Sequence, residues 1–161
     1  NEIVEAKFKG MFVTAVFGKL NIKTGDLTFV NAGHESIMVF NRNKEFDFIE
    51  SNLPPIGIVK YFTESMVKSK TINLKDKTFV VYTDGVTEGY LKNGEELGAE
   101  GVQRIVKTLS EVTPKNIVDS IATELNWGAE KLRDDITCLA LDLKNTEIIK
   151  PQKKKKQDIQ K

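Results

Sequence analysis

Between residues 16 and 48 the chain is built of short apolar runs that alternate with polar residues and are cut by turn signals. Side chains that alternate with period two belong to strands with one wet face. Val16, Leu20 and Ile22 alternate in this way with Lys19, Asn21 and Lys23. Lys23-Thr24-Gly25-Asp26 is turn chemistry, and Leu27-Thr28-Phe29-Val30 is the returning strand of a hairpin. Residues 36–40 form another short apolar run. Asn41-Arg42-Asn43-Lys44 turns the chain again, and Phe46 and Phe48 then alternate with Asp47. The first half of the chain is therefore expected to be an antiparallel meander.

The second half changes character. Leu53-Pro54-Pro55-Ile56-Gly57 is a loop, because proline removes the donors that a sheet ladder needs. Residues 71–74 are a short strand and residues 75–77 a turn. Phe79-Val80-Val81-Tyr82 is a continuous apolar run, as expected of a central strand buried on both faces. It runs straight into Thr83-Asp84-Gly85. Val102, Ile105, Val106 and Leu109 fall on one face of a helix. Thr113 offers a cap for a second helix, with Pro114 at its first position. Ile117, Val118, Ile121, Ala122 and Leu125 line one face of that helix, and Gly128 is its expected stop. Residues 136–143 are a last apolar strand. Many strands, two helices and a closing strand give an α+β layered domain.

With 161 residues, 40% hydrophobic and 29% charged, the chain can build one domain with its own core. No apolar stretch is long enough to cross a membrane as a helix. The opening NEIVEAKFKG lacks the basic flank and apolar centre of a secretory signal, and it begins at Asn1 rather than Met, as an excised or processed chain does. Cys138 is the only cysteine, so no intrachain disulfide forms. It sits in an apolar run and reads as a buried structural thiol. A cytoplasmic protein is the expectation. Residues 150–161 hold six Lys and one Asp, and the remaining 18 basic and 22 acidic residues leave a body of net charge −4. That balance argues against a nucleic-acid-binding core. The lysine-rich end has almost no apolar residues and reads as a solvated, disordered tail.

Three carboxylates stand where chemistry is easily held. Asp84 ends a buried strand, and Gly85 after it is expected to turn the backbone sharply and leave room for a ligand. Asp134 and Asp135 stand immediately before the last buried strand. If the two strands are antiparallel neighbours, these carboxylates converge on one rim. Clustered carboxylates repel each other unless a cation or a proton lies between them. Oxygen ligands of this kind suit Mg²⁺ or Mn²⁺ rather than zinc. Asp-Gly and Asp-Asp pairs also simply start turns, and spacing alone leaves both readings open. His34, the only histidine, lies in Asn31-Ala32-Gly33-His34 and reads first as a turn residue, with a functional role as the alternative. No nucleophile elbow, Walker loop or dinucleotide fingerprint is present.

Taken in order, FVTAVFGKLNIKTGDLTFVNAGH, LPPIGI, VVYTDGVTEG and LRDDITCLALDL resemble the SpoIIE-like branch of the PPM-type, metal-dependent serine/threonine protein phosphatases. The resemblance runs from Phe12 to Leu143. It implies two packed, mostly antiparallel sheets flanked by helices, an α-β-β-α sandwich, of which this chain is the C-terminal part. Residues 1–146 would be that part and residues 147–161 a basic tail. It implies a dinuclear Mn²⁺ or Mg²⁺ site whose activated water attacks a phosphoserine or phosphothreonine on a signalling protein. Carried over by motif, Asp84 and Asp134 are metal ligands and Asp135 is the alternative to Asp134. His34 stands where eukaryotic relatives have an Asp that serves an accessory metal. Together with Gly85 and Asp135 it is a candidate for lining the site.

The family's opening GD motif and its D-x-x-G-x-G motif, which carry the bridging Asp and a carbonyl ligand, are not in this sequence. The isolated chain is therefore expected to be inactive, with catalysis belonging to a longer protein. Family members often carry an upstream sensor or regulatory domain and act on a phosphorylated anti-anti-sigma-factor-like protein. A relative that only docks a partner is the alternative, as is a plain structural domain. Both Asp residues standing in their motifs favour the enzyme, since a docking module has no use for them.

Overall fold

The computed structural model describes residues 11–59, 63–125 and 134–143. Among these residues seven strands form two antiparallel sheets. They are β1 (Ala15–Asn21), β2 (Asp26–Ala32), β3 (Ile37–Asn41), β4 (Phe46–Ile49), β5 (Lys70–Asn73), β6 (Lys77–Tyr82) and β7 (Cys138–Leu141). The first sheet has the order β1-β2-β5 and the second β4-β3-β6-β7. Among the described residues between β6 and β7 lie three helices: α1 (Asp84–Thr87), α2 (Gly98–Thr108) and α3 (Pro114–Glu124). The expected helix stop at Gly128 and the basic tail fall outside the described residues.

The alternation of side chains explains the layers. On β3, Ile37 and Val39 face the first sheet, while Met38 and Phe40 face the helices, and all four are buried. β6 does the same, with Phe79 between the sheets and Val80 and Tyr82 beneath the helices. A strand with two buried faces must be apolar throughout, which is what the continuous run at 79–82 encodes. Phe29 of β2 meets Phe79 of β6 edge-on, with ring centroids 5.2 Å apart, and so ties sheet to sheet. On the other side Val102, Ile105 and Val106 of α2 and Ile117 and Ile121 of α3 close a second core. Each fully buried side chain of this size contributes about 1.5–3 kcal/mol. The α3 cap is as expected: Thr113 Oγ1 accepts from the N–H of Asn116 at 3.1 Å, and Pro114 opens the helix.

The expected meander does not hold. β2 pairs with β1 and β5, whereas β3 pairs with β4 and β6, so the chain changes sheets between residues 32 and 37. The corner is fixed by Asn31, which is fully buried yet richly bonded. Its Oδ1 accepts from the N–H of His34 and its Nδ2 donates to the carbonyl of Glu35. Its backbone exchanges hydrogen bonds with Ser51, Asn52 and Leu53. Gly33 has φ +66° and lies so close to Pro55 that a Cβ there would meet the ring at 2.2 Å. These contacts turn the strand end out of the first sheet. Two strand boundaries also move. Ile22, expected in the first strand, is exposed in the following turn. The last strand begins at Cys138, two residues later than expected, and Thr137 is engaged in another contact described below.

β1 and β7 are each an edge strand of their sheet among the described residues, and a cleft of about 440 Å³ is lined by residues of both. Val16, Leu20, Phe29, Val81, Leu139 and Leu141 line it. Phe17 on β1 is 57% exposed and Leu139 on β7 is 55% exposed. Open edges with apolar neighbours invite pairing with other chains. The isolated 161-residue chain is therefore expected to self-associate at micromolar concentration. The double substitution Phe17→Lys with Leu139→Lys should shift it toward monomer in light scattering. A wild-type chain that stays monomeric would show that the cleft and edges are covered.

Candidate metal centre

The antiparallel register of β6 and β7 sets Tyr82 opposite Cys138, so the end of one strand meets the start of the other. Thr83 locks the two just beyond that pair. Its N–H donates to the carbonyl of Thr137 at 3.0 Å. Its hydroxyl donates to the carbonyl of Asp135 at 3.1 Å and accepts from the N–H of Thr137 at 3.0 Å. Asp84 follows Thr83 directly, so the segments bearing Asp84 and Asp134–Asp135 lie side by side on one rim of the second sheet. Nothing in the local sequence announces the Thr83 contacts, because their partners lie more than fifty positions away.

Gly85 does something other than expected. Its backbone is helical, within α1, and its φ is not positive. A Cβ at this position would lie 2.4 Å from the carbonyl oxygen of Asp135. The space that glycine leaves is filled by the neighbouring chain rather than by a ligand. Gly85 is buried and serves to let the 134–135 segment approach α1.

Asp84, Asp134 and Asp135 are all exposed. Asp84 Oδ1 accepts from the N–H of Gly85 at 2.9 Å, and Asp134 Oδ1 accepts from the N–H of Asp135 at 2.7 Å. Each carboxylate is thus oriented by one oxygen and presents the other. Among the described residues neither is paired with a lysine or arginine. Nor is any group of three or more His, Cys, Asp and Glu side chains close enough together to hold an ion. Two hard oxygen donors without a cationic partner fit a Mg²⁺ or Mn²⁺ ion as part of its shell, since such ions take about six oxygens and retain water readily.

His34 is half-buried at the mouth of the cleft, which Thr83 and Thr137 also line. Its Nδ1 lies 3.0 Å from Thr14 Oγ1. Burial raises the Tyr82 phenol to about 12, and the carboxylate of Glu35 adds to the effect, as does Cys138 to a smaller degree. His34 lines the same cleft as Tyr82 at the end of β6. Burial likewise raises the Cys138 thiol to about 11, which keeps it protonated and fits a structural role.

The family profile for Stage II sporulation protein E (SpoIIE) matches residues 1–144. The chain belongs to the SpoIIE family. Its phosphatase-domain fold is shared with structures at lower identity. The SiaA-PP2C domain of Pseudomonas aeruginosa superposes with a TM-score of 0.60 at 20% identity, over 80% of this chain and 51% of that one. The Mn-presoaked phosphatase domain of SpoIIE from Bacillus subtilis gives a TM-score of 0.57 at 18% identity, over 80% and 56%. Protein IcfG of Synechocystis is 31% identical over 135 residues, 81% of this chain and 20% of IcfG. The SpoIIE-family chain thus spans about half of these phosphatase structures and a fifth of IcfG.

The close approach at Gly85 generates a stability prediction. Gly85→Ala in the full-length protein should cost about 1–3 kcal/mol, because a methyl group is forced against a backbone carbonyl that cannot rotate away. Urea denaturation measures this. A neutral substitution would mean that the 134–135 segment does not press on α1.

Proposed function

We propose that this chain is the C-terminal part of a serine/threonine protein phosphatase domain in which Asp84 and Asp134 hold Mn²⁺ or Mg²⁺. The observation that carries this reading is the Thr83 lock, with two carboxylate-bearing segments side by side on an exposed rim and, among the described residues, no ion pair to either Asp84 or Asp134. Membership of the SpoIIE family supports the reaction class, and the Mn presoak of the Bacillus subtilis domain supports the choice of ion. When bound, a pair of such ions supplies an acidified water and positive charge at the phosphorus.

The chain's own residues supply placement. Thr83 sets the separation of the two segments, and the N–H groups of Gly85 and Asp135 hold one oxygen of each carboxylate. The exposed rim admits a phosphorylated side chain carried by another protein. We infer a phosphoserine or phosphothreonine on a signalling protein as substrate, an anti-anti-sigma-factor-like protein being the model, with an upstream regulatory domain in the same polypeptide. The carboxylates needed beyond Asp84 and Asp134 come from the part of the domain outside this sequence.

In the full-length protein, Asp84→Asn and Asp134→Asn should each lower phosphoserine hydrolysis by orders of magnitude, since each keeps the shape and removes the charge. Asp135→Asn should be milder. Phosphate release from a phosphopeptide with millimolar Mn²⁺ measures all three. If Asp135→Asn is the crippling change and Asp134→Asn is not, the ligand is the second Asp of the pair. A wild-type protein without activity would favour a partner-docking module.

A further inference from the structure

We infer that the groove between α2 and α3, which shares no residue with the carboxylate rim, binds a small free α-amino acid. The two helices touch, and between them lies a groove of about 270 Å³ lined by Arg104, Ile105, Thr108, Ser120, Thr123 and Glu124. Arg104 comes from α2 and Glu124 closes α3, so each helix brings one charge of opposite sign to the same space. Both side chains are exposed, and among the described residues neither makes an ion pair. The hydroxyls divide into two kinds. Thr108 Oγ1 donates to the carbonyl of Ile105 at 2.7 Å, and Thr123 Oγ1 donates to the carbonyl of Asp119 at 2.8 Å. With their hydrogens committed, these two oxygens can only accept from a ligand. Ser120 is half-buried, and among the described residues its hydroxyl makes no hydrogen bond, so its hydrogen is available to give.

The groove thus offers donors and a positive charge to one group, and acceptors and a negative charge to another. A carboxylate suits Arg104, whose planar fork can hold it through two N–H groups, with Ser120 as a further donor. An ammonium has three N–H donors and no acceptor, which suits the Glu124 carboxylate and the oxygens of Thr108 and Thr123. A molecule with only one of these groups leaves half of the groove unmatched. An α-amino acid carries both on one carbon. The space lies just below the ~300–1,000 Å³ of ordinary ligand pockets, so the amino acid's own side chain must be small. Buried Ile105 gives that side chain an apolar contact. Exposed charge pairs are individually weak, and a dissociation constant of about 1 mM is expected.

Amide NMR titration of the full-length protein with glycine, L-alanine and L-serine tests this. At least one of the three should shift the amides of residues 104–108 and 120–124 together, saturating at millimolar concentration. L-lactate lacks the ammonium and ethanolamine lacks the carboxylate, and each should bind about 10-fold more weakly or worse. Arg104→Gln and Glu124→Gln should each weaken the amino acid by a similar factor. No saturable shift from any of the three up to about 20 mM would overturn the inference. So would an affinity that either variant leaves unchanged. Lactate or ethanolamine binding as tightly as the amino acid would reduce the groove to a simple ion site and refute it too. Should the variants fail to fold, the comparison of ligands on the wild-type protein decides alone. None of these outcomes bears on the phosphatase reading, which rests on the rim.

Discussion

Thr83 bonds β7's approach segment through both its backbone N–H and its hydroxyl, and the geometry of the rim follows from that residue. Without it, β6 and β7 would still pair from Tyr82 and Cys138 inward, but the segments beyond would be free to splay. Each hydrogen bond of this kind is worth only about 1 kcal/mol net. Their value lies in position. They bring the carbonyl of Asp135 onto Gly85, a contact closed to any residue with a Cβ. Two carboxylate-bearing segments that would otherwise repel are thereby held together, and a bound cation would relieve the repulsion.

The layers behind the rim make that constraint possible. β6 is buried on both faces, between the Phe29–Phe79 contact on one side and α2 and α3 on the other. A strand packed in this way cannot shift without opening two cores, so its end is a rigid platform. The first sheet is less enclosed. Its edge strand β1 borders the cleft, and the chain reaches the second sheet through a corner whose rigidity comes from the buried Asn31. That corner is also what carries His34 to the mouth of the cleft. Rim and corner therefore reach the same opening from two different sheets.

Much of this was legible in the sequence, for local reasons. Alternation at residues 16–30 and 36–48 marked strands, the run at 79–82 marked a doubly buried one, and Thr113-Pro114 marked a helix start. Asp84 and the Asp134–Asp135 pair could be singled out because they flank apolar runs, and only the family resemblance preferred Asp134 to Asp135. What was not legible depended on distant partners. Turn residues at 31–34 announce a bend but not which sheet receives the next strand, so the meander was a reasonable and incorrect expectation. α1 has four residues, too few for any periodicity, and read as a turn. Gly85 read as a place for a ligand because its true neighbour, Asp135, is fifty positions away in the chain.

The central claim is that the β6 and β7 ends form one metal-binding rim. Paramagnetic Mn²⁺ broadens the resonances of nuclei close to it, so an amide NMR titration of the complete domain tests the claim directly. The account predicts that the amides of Gly85 and Asp135 broaden together at low Mn²⁺, and that Asp134→Asn abolishes the effect at both. Broadening at only one of these segments, or at neither while another region responds, would contradict it.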